Sequence, residues 1–181
     1  MSFRWPNKDP DETLDYSIDW SRYLGSATIS SVQWLIVDDQ STTLSAAITA
    51  SATSITLTDA SIFTTNTNDT QLKIGSEILE YDSGGISSNT VTVTRGADST
   101  TAAAHASGAT VTGGEVPIIA SIQVTVNGLT VPANTISNTS TVATIRFSGG
   151  TNNRTYKIIC RITDSANLTS ERSVRLKIKE N

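Results

Sequence analysis

Three groups of side chains in this chain are of types that could do chemistry. Glu77, Glu80 and Asp82 are the first, close enough in sequence to be weighed as a glycosidase acid and base. Such a pair has to flank a cleft, with its carboxyls about 5 to 9.5 Å apart. The run Glu77-Ile78-Leu79-Glu80-Tyr81 reads as a strand, and a spacing of three along a strand sends Glu77 and Glu80 to opposite faces. His105 is the single histidine, set in Ala102-Ala103-Ala104-His105-Ala106-Ser107-Gly108. A catalytic triad would use it as the base, with a serine elbow positioning the nucleophile, and the chain has no Gly-x-Ser-x-Gly. The single cysteine, Cys160, alternates with Ile158 and Ile162 and reads as a small buried apolar residue. The third group is the carboxylate cluster Asp9, Asp11, Glu12, Asp15 and Asp19. Calcium favours several oxygens at close quarters, but the cluster lacks the central glycine and distal glutamate of an EF-hand and is stiffened by Pro10. These residues argue against a catalytic centre, a metal site or a bound cofactor.

Residues suited to gripping another protein are better represented. The acidic opening carries Phe3, Trp5, Tyr16 and Trp20, too many large aromatics for a merely solvated tail. Asn7 to Glu12 is polar and broken by proline, so the arm is expected to be extended. Phe3, Trp5 and Tyr16 are then candidate anchors in a neighbouring chain, while Trp20, next to the first strand, belongs to the core. The alternative is that Phe3 and Trp5 fold back on their own domain. Near the other end, strands over 155–163 and 172–179, joined through Asp164 to Asn167, would bury Tyr156, Ile158, Cys160 and Ile162 with Val174, Leu176 and Ile178. The period of two then turns Lys157, Arg161, Arg175, Lys177 and Lys179 outward together. Such a face either keeps an edge soluble or docks an acidic neighbour.

The elements that must position these residues are strands. From Ser31 the sequence alternates so that Val32, Trp34 and Ile36 share a face. Its character then changes: between Gln40 and Leu72 only Asp59 and Asp69 are charged, and Thr, Ser and Ala dominate. Leu72-Lys73-Ile74, the turn signal Gly75-Ser76 and the strand from Glu77 read as a hairpin. Thr90 to Thr94 and Gly108 to Val111 add further strand pieces, and Gly113-Gly114 reads as a hinge. Residues 40–114 are therefore expected to be an inserted small β-domain, with 1–39 and 115–181 forming the host domain. In the host, Ile122, Val124 and Val126 alternate ahead of the turn Asn127-Gly128, and Ala143, Ile145 and Phe147 mark another strand. Short strands punctuated by turns predict an all-β fold, an immunoglobulin-like antiparallel sandwich carrying the insert.

Composition narrows the function further. Of 181 residues 37% are hydrophobic and only 17% charged, with Ser, Thr and Asn supplying the polar bulk, as suits exposed β-structure. No secretory core or membrane-length apolar run is present, so synthesis in a cytoplasm and no membrane partner are expected. One cysteine excludes an internal disulfide. The net charge of -4 is uneven: residues 1–115 carry 5 Lys/Arg and 14 Asp/Glu, and residues 116–181 carry 8 and 3. Eight dispersed cations without interleaved aromatics speak against nucleic acid as the partner.

The opening Phe3 to Trp20, the loop Ser148-Gly149-Gly150-Thr151 and the strand Glu171-Arg172-Ser173-Val174 resemble a family of bacteriophage fiber-tail adaptor proteins. That resemblance spans about residues 3–38 and 122–181 and treats the insert as a departure. The insert is itself similar to a compact β-module of phage tail and baseplate proteins, through Thr42-Thr43-Leu44, Ile55 to Ala60, Ile74-Gly75-Ser76-Glu77, Thr94-Arg95-Gly96-Ala97 and Thr101 to His105. The resemblance implies the same immunoglobulin-like fold and a structural virion protein at the neck or tail of a tailed phage. It implies portal, adaptor-ring, tail or fiber proteins as partners, and several copies in a symmetric ring. A glycan-binding module using the insert is the alternative from another class, marked by a cleft of aromatic and amide side chains; an enzyme would show converging titratable groups.

Overall fold

The computed structural model describes residues 3–180, with the side chain of Phe3 outside that description. The chain is nearly all β, and its one helical turn among the described residues is α1 (Ser21–Leu24). It divides into two compact units, residues 1–36 with 118–181, and residues 37–117. The host unit opens with β1 (Phe3–Arg4), β2 (Thr13–Asp19) and β3 (Ile29–Val37). The insert follows with β4 (Ser41–Thr43), β5 (Ser54–Thr56), β6 (Thr70–Ile74), β7 (Glu77–Tyr81), β8 (Ile86–Ser87), β9 (Thr90–Thr92) and β10 (Thr110–Gly113). The chain returns through β11 (Glu115–Ile118) to β12 (Val124–Val126), β13 (Leu129–Val131), β14 (Ser137–Asn138), β15 (Val142–Gly149), β16 (Thr155–Asp164) and β17 (Thr169–Lys177).

One host sheet runs β1–β17–β16–β3, and the other runs β12–β13–β15–β14 with β2 along β15. The alternation read from the sequence sets the register of the first sheet. Tyr156 stands opposite Leu176 and Ile158 opposite Val174, all four buried, while Cys160 faces Trp34 and Ile158 faces Ile36 on β3. Apolar partners directly across a ladder stabilise it by burying a shared face. Ile159 and Leu35 break the pattern: they are paired in register and buried, although the period of two puts them on the face that carries Lys157 and Arg161. In the second sheet Val126 and Leu129 close a two-residue turn in which Asn127 and Gly128 both take positive φ, 51° and 84°. That is the geometry for which an Asn-Gly pair is favoured.

The arm is where the structure departs most from the expectation. β1 adds to β17 in parallel, with Phe3 opposite Val174 and Arg4 opposite Arg175. The Trp5 N–H donates to the Arg175 carbonyl at 3.0 Å and the Lys8 N–H to the Lys177 carbonyl at 3.0 Å, so the arm runs along the β17 edge. Trp5, 5% exposed, packs on Tyr16, 6% exposed, with ring centroids 4.9 Å apart, and on Trp34 and Phe147 at 6.1 and 6.2 Å. Trp5 and Tyr16, weighed as anchors for a neighbour, are spent inside their own domain, because one edge of β17 and an aromatic core were within reach, and the side chain of Phe3 lies outside the described residues. Trp20 is buried, as its position beside the first strand implied.

The insert has its own core, built from Leu44, Ile55, Leu57, Phe63, Leu72 and Leu79 among others. β4–β10–β6–β7 form one sheet and β5–β9–β8 a smaller one. Gly75, φ 61°, opens the tight turn between β6 and β7, where Ile74 and Glu77 pair. Gly113 and Gly114 have a different role from the hinge read in the sequence. Gly113 donates to the Gln40 carbonyl and Gly114 to the Gln71 carbonyl, both at 2.8 Å. A Cβ on Gly113 would lie 2.8 Å from the Asp38 side chain, and one on Gly114 2.7 Å from Gln71 Cβ. The pair permits a close approach of chains and is held in place.

Candidate partner-binding surface

A group of exposed cations lies on the host sheet β1–β17–β16. Residues directly opposite on neighbouring strands share a face, so the pairings of Arg4 with Arg175 and of Arg175 with Lys157 set three cations in one row across three strands. All three are exposed, and Lys177 and Lys179 continue the same side along the chain. Arg4 donates to the Asn7 amide oxygen at 2.9 Å. Lys157, Arg175, Lys177 and Lys179 make no ion pair among the described residues. Like charges side by side on a ladder cost stability, so the row is a surface that an anionic neighbour would stabilise. Arg161 behaves differently: its NH2 donates to Glu171 Oε2 at 2.9 Å and its NH1 to Gln33 Oε1 at 3.1 Å, so its charge is offset on the sheet itself.

The arrangement thus gathers four of the five cations read from the sequence, ties the fifth to a carboxylate, and adds Arg4. Nothing near Arg4 in sequence could have signalled this, because its place follows from the parallel docking of the arm on a strand about 170 residues away. Trp5 and Tyr16 lie in the core and offer no surface, and the side chain of Phe3 is outside the described residues. Lys8, also unforeseen, is fully buried, with Nζ donating to the carbonyls of Asp9 at 2.7 Å and Gly149 at 2.8 Å. Burial lowers its pKa against the pull of Glu12, Asp9 and Asp11.

The groups weighed for catalysis have structural partners. The Glu77 side chain is 1% exposed and is met by Arg95 in a two-pronged contact, Nε to Oε1 at 2.7 Å and NH2 to Oε2 at 2.8 Å. His105 Nε2 lies 2.7 Å from Oε2, and the Ala103 N–H donates to the same oxygen at 3.2 Å. Burial alone would raise the Glu77 carboxyl, but the hydrogen bonds from Arg95, His105 and Ala103 outweigh it and bring the pKa to about 2. Arg95 also donates to the carbonyls of Thr49, Ala52 and Ala103, so a single ion pair ties several loops of the insert. A carboxylate held ionised with its oxygens filled is suited to bracing, not to giving up a proton. Cys160 is buried, and burial pushes its thiol up to about 12.

The acidic opening is likewise occupied locally. Asp15 pairs with Arg146 at 2.7 Å, Asp19 accepts from the Ser21 N–H, and Asp9 accepts from the Asp11 N–H. Among the described residues no cluster of His, Cys, Asp and Glu could hold a metal ion. A second acidic group is less engaged. A pocket of about 370 Å³ in the insert is lined by Asp69, Glu80 and Asp82 with Tyr81 and the Ser83-Gly84-Gly85 turn. Glu80 and Asp82 line this pocket and Glu77 does not, so the three carboxylates do not converge on one cleft. Burial raises the Glu80 pKa, with Asp98, Asp69 and Asp82 adding to it and a hydrogen bond from Gln71 opposing.

An all-β host unit with a cationic strand row and an inserted β-unit is the frame within which one comparison decides the family. The model of the podophage GP4 fiber-tail adaptor protein gp77 family matches residues 8–94 and 112–177. The chain belongs to this family. It is accordingly a member of a group of structural adaptors of the phage virion, which join fiber and tail. The matched residues run through most of the insert, so the adaptor family's pattern includes that unit and the insert is not a departure from it. No curated protein matches the chain.

Proposed function

We propose that this adaptor is a non-enzymatic structural protein that docks on the head-tail connector or tail of the particle and helps attach tail fibers there. Membership of the fiber-tail adaptor family is the observation that carries this reading. In it the host unit, residues 1–39 and 115–181 in the division proposed from sequence, is an immunoglobulin-like sandwich, and residues 40–114 project as the inserted module. The chain is made in the host cytoplasm and assembles as several copies in a symmetric ring. The basic face, made of Lys157, Arg175, Lys177 and Lys179 with Arg161 bordering them, meets the acidic surface of a neighbouring protein in the assembled particle. Lys157, Arg175, Lys177 and Lys179 make no ion pair among the described residues, which supports this, since a row of like charges gains most from an anionic partner. A glycan-binding role for the insert has less behind it, because Tyr81 is the pocket's one aromatic and is buried, with its O–H donating to the Thr64 carbonyl.

A density map of the assembled particle tests the proposal. Density for this chain at the neck, between tail and fiber proteins, is the expected result. A chain found in the capsid shell or missing from purified particles overturns it. Particles carrying Lys157→Glu with Arg175→Glu should contain far less of the protein, at an unchanged melting temperature of the purified chain.

A further inference from the structure

The two units of the chain carry opposite charge. Residues 37–117 hold two Lys/Arg and nine Asp/Glu, a formal charge of -7, whereas residues 1–36 and 118–181 hold eleven and eight, a formal charge of +3. On the insert the excess is concentrated in the concave pocket of Asp69, Glu80 and Asp82, with Asp98 acting on Glu80 from close by. No Lys or Arg lines that pocket. On the host unit the excess is the exposed row Arg4–Arg175–Lys157 with Lys177 beside it.

We propose that the acidic pocket on the insert of one copy receives the basic row of a second copy, so that copies associate head to tail. This rests on the reading of the basic face as a docking surface and names its occupant. Each surface is destabilised alone, the row by like charges in register and the pocket by carboxylates crowded around a half-buried Glu80. Bringing them together relieves both. Because the two patches differ, the contact is heterologous: an open assembly keeps one free acidic and one free basic surface at its ends and can add a further copy, closing a ring when the rotation permits. Charge of this kind steers encounter and fixes the register of the contact.

Sedimentation velocity on the purified full-length chain tests this. At low salt, where exposed charges act over about 10 Å, the chain should form oligomers, and at about 1 M salt, where the range falls to about 3 Å, it should dissociate. Two variants each remove one surface: Lys157→Glu with Arg175→Glu, and Asp69→Asn with Glu80→Gln and Asp82→Asn, in which amides keep the local hydrogen bonds. Each variant alone should be monomeric with a near-native melting curve. Mixed, they retain one complementary contact between them and should form a one-to-one complex and nothing larger. A monomeric wild-type chain at low salt, oligomers that neither variant weakens, or a mixture that stays monomeric overturns the inference. If the basic-face variant is lost from particles while the purified wild-type chain is monomeric, the basic face meets another virion protein: the adaptor reading stands and the copy-to-copy contact falls.

Discussion

Arg95 grips Glu77 through both carboxylate oxygens, at 2.7 and 2.8 Å, in a part of the insert where the two side chains are 6% and 1% exposed. Removing one partner of a buried pair strands the other charge, at a cost of about 3–5 kcal/mol. Arg95→Ala should therefore destabilise the insert by about that much, while Lys73→Ala, on the exposed side of β6, should leave it within about 0.5 kcal/mol of wild type. Chemical denaturation followed by a probe in the insert measures the difference.

The same ion pair sets a pH dependence. Glu77 is depressed from 4.5 to about 2 in the folded chain, so its contribution is full above the unfolded value and is lost as pH falls through the folded one. Stability of the insert should decline as pH drops from 4.5 toward 2, and the decline should be shallower in Glu77→Gln, which has no carboxyl to protonate. Equal slopes in denaturation series of the two proteins would show that Glu77 is not the responsible group.

Trp5 anchors the arm in the host core, and replacing a buried tryptophan by alanine costs about 3–5 kcal/mol. Trp5→Ala, and deletion of residues 1–8, should both lower the melting temperature of the host unit markedly. An unchanged melting temperature with lost incorporation into particles would instead make the arm a free docking segment.

Cys160 is buried with a thiol pushed up to about 12, so it should resist alkylation in the native chain at mildly alkaline pH. Modification should proceed at the rate at which the host unit opens and become rapid in denaturant. Stoichiometric labelling of the folded chain within minutes would contradict the burial.

The insert should also be dispensable for folding of its host. Replacing residues 41–114 with a short Gly/Ser linker is expected to leave a cooperatively unfolding host unit, because loop closure entropy varies slowly with length and the two units have separate cores. An insoluble or molten product would show that they fold as one.

The sequence by itself determined whatever depends on near neighbours. The alternation of Tyr156, Ile158, Cys160 and Ile162 with Val174, Leu176 and Ile178 carries the register of β16 on β17, since burying one face of a pleated strand requires only a period of two. Asn127-Gly128 announces its own turn, because few residue pairs accept two positive φ values in succession. The outward direction of Lys157 and Arg175 follows from the same period. Only the tertiary structure decided the rest. Arg4 joins the cationic row, Trp5 enters the core and Lys8 is buried at Gly149 because an arm with no periodicity of its own found the one exposed edge of β17. Glu77, Arg95 and His105, scattered through the insert, converge because turns between them bring their strands and loops together. Such meetings depend on which distant edges and cores are left to fill, and that is settled by the packing of the whole chain.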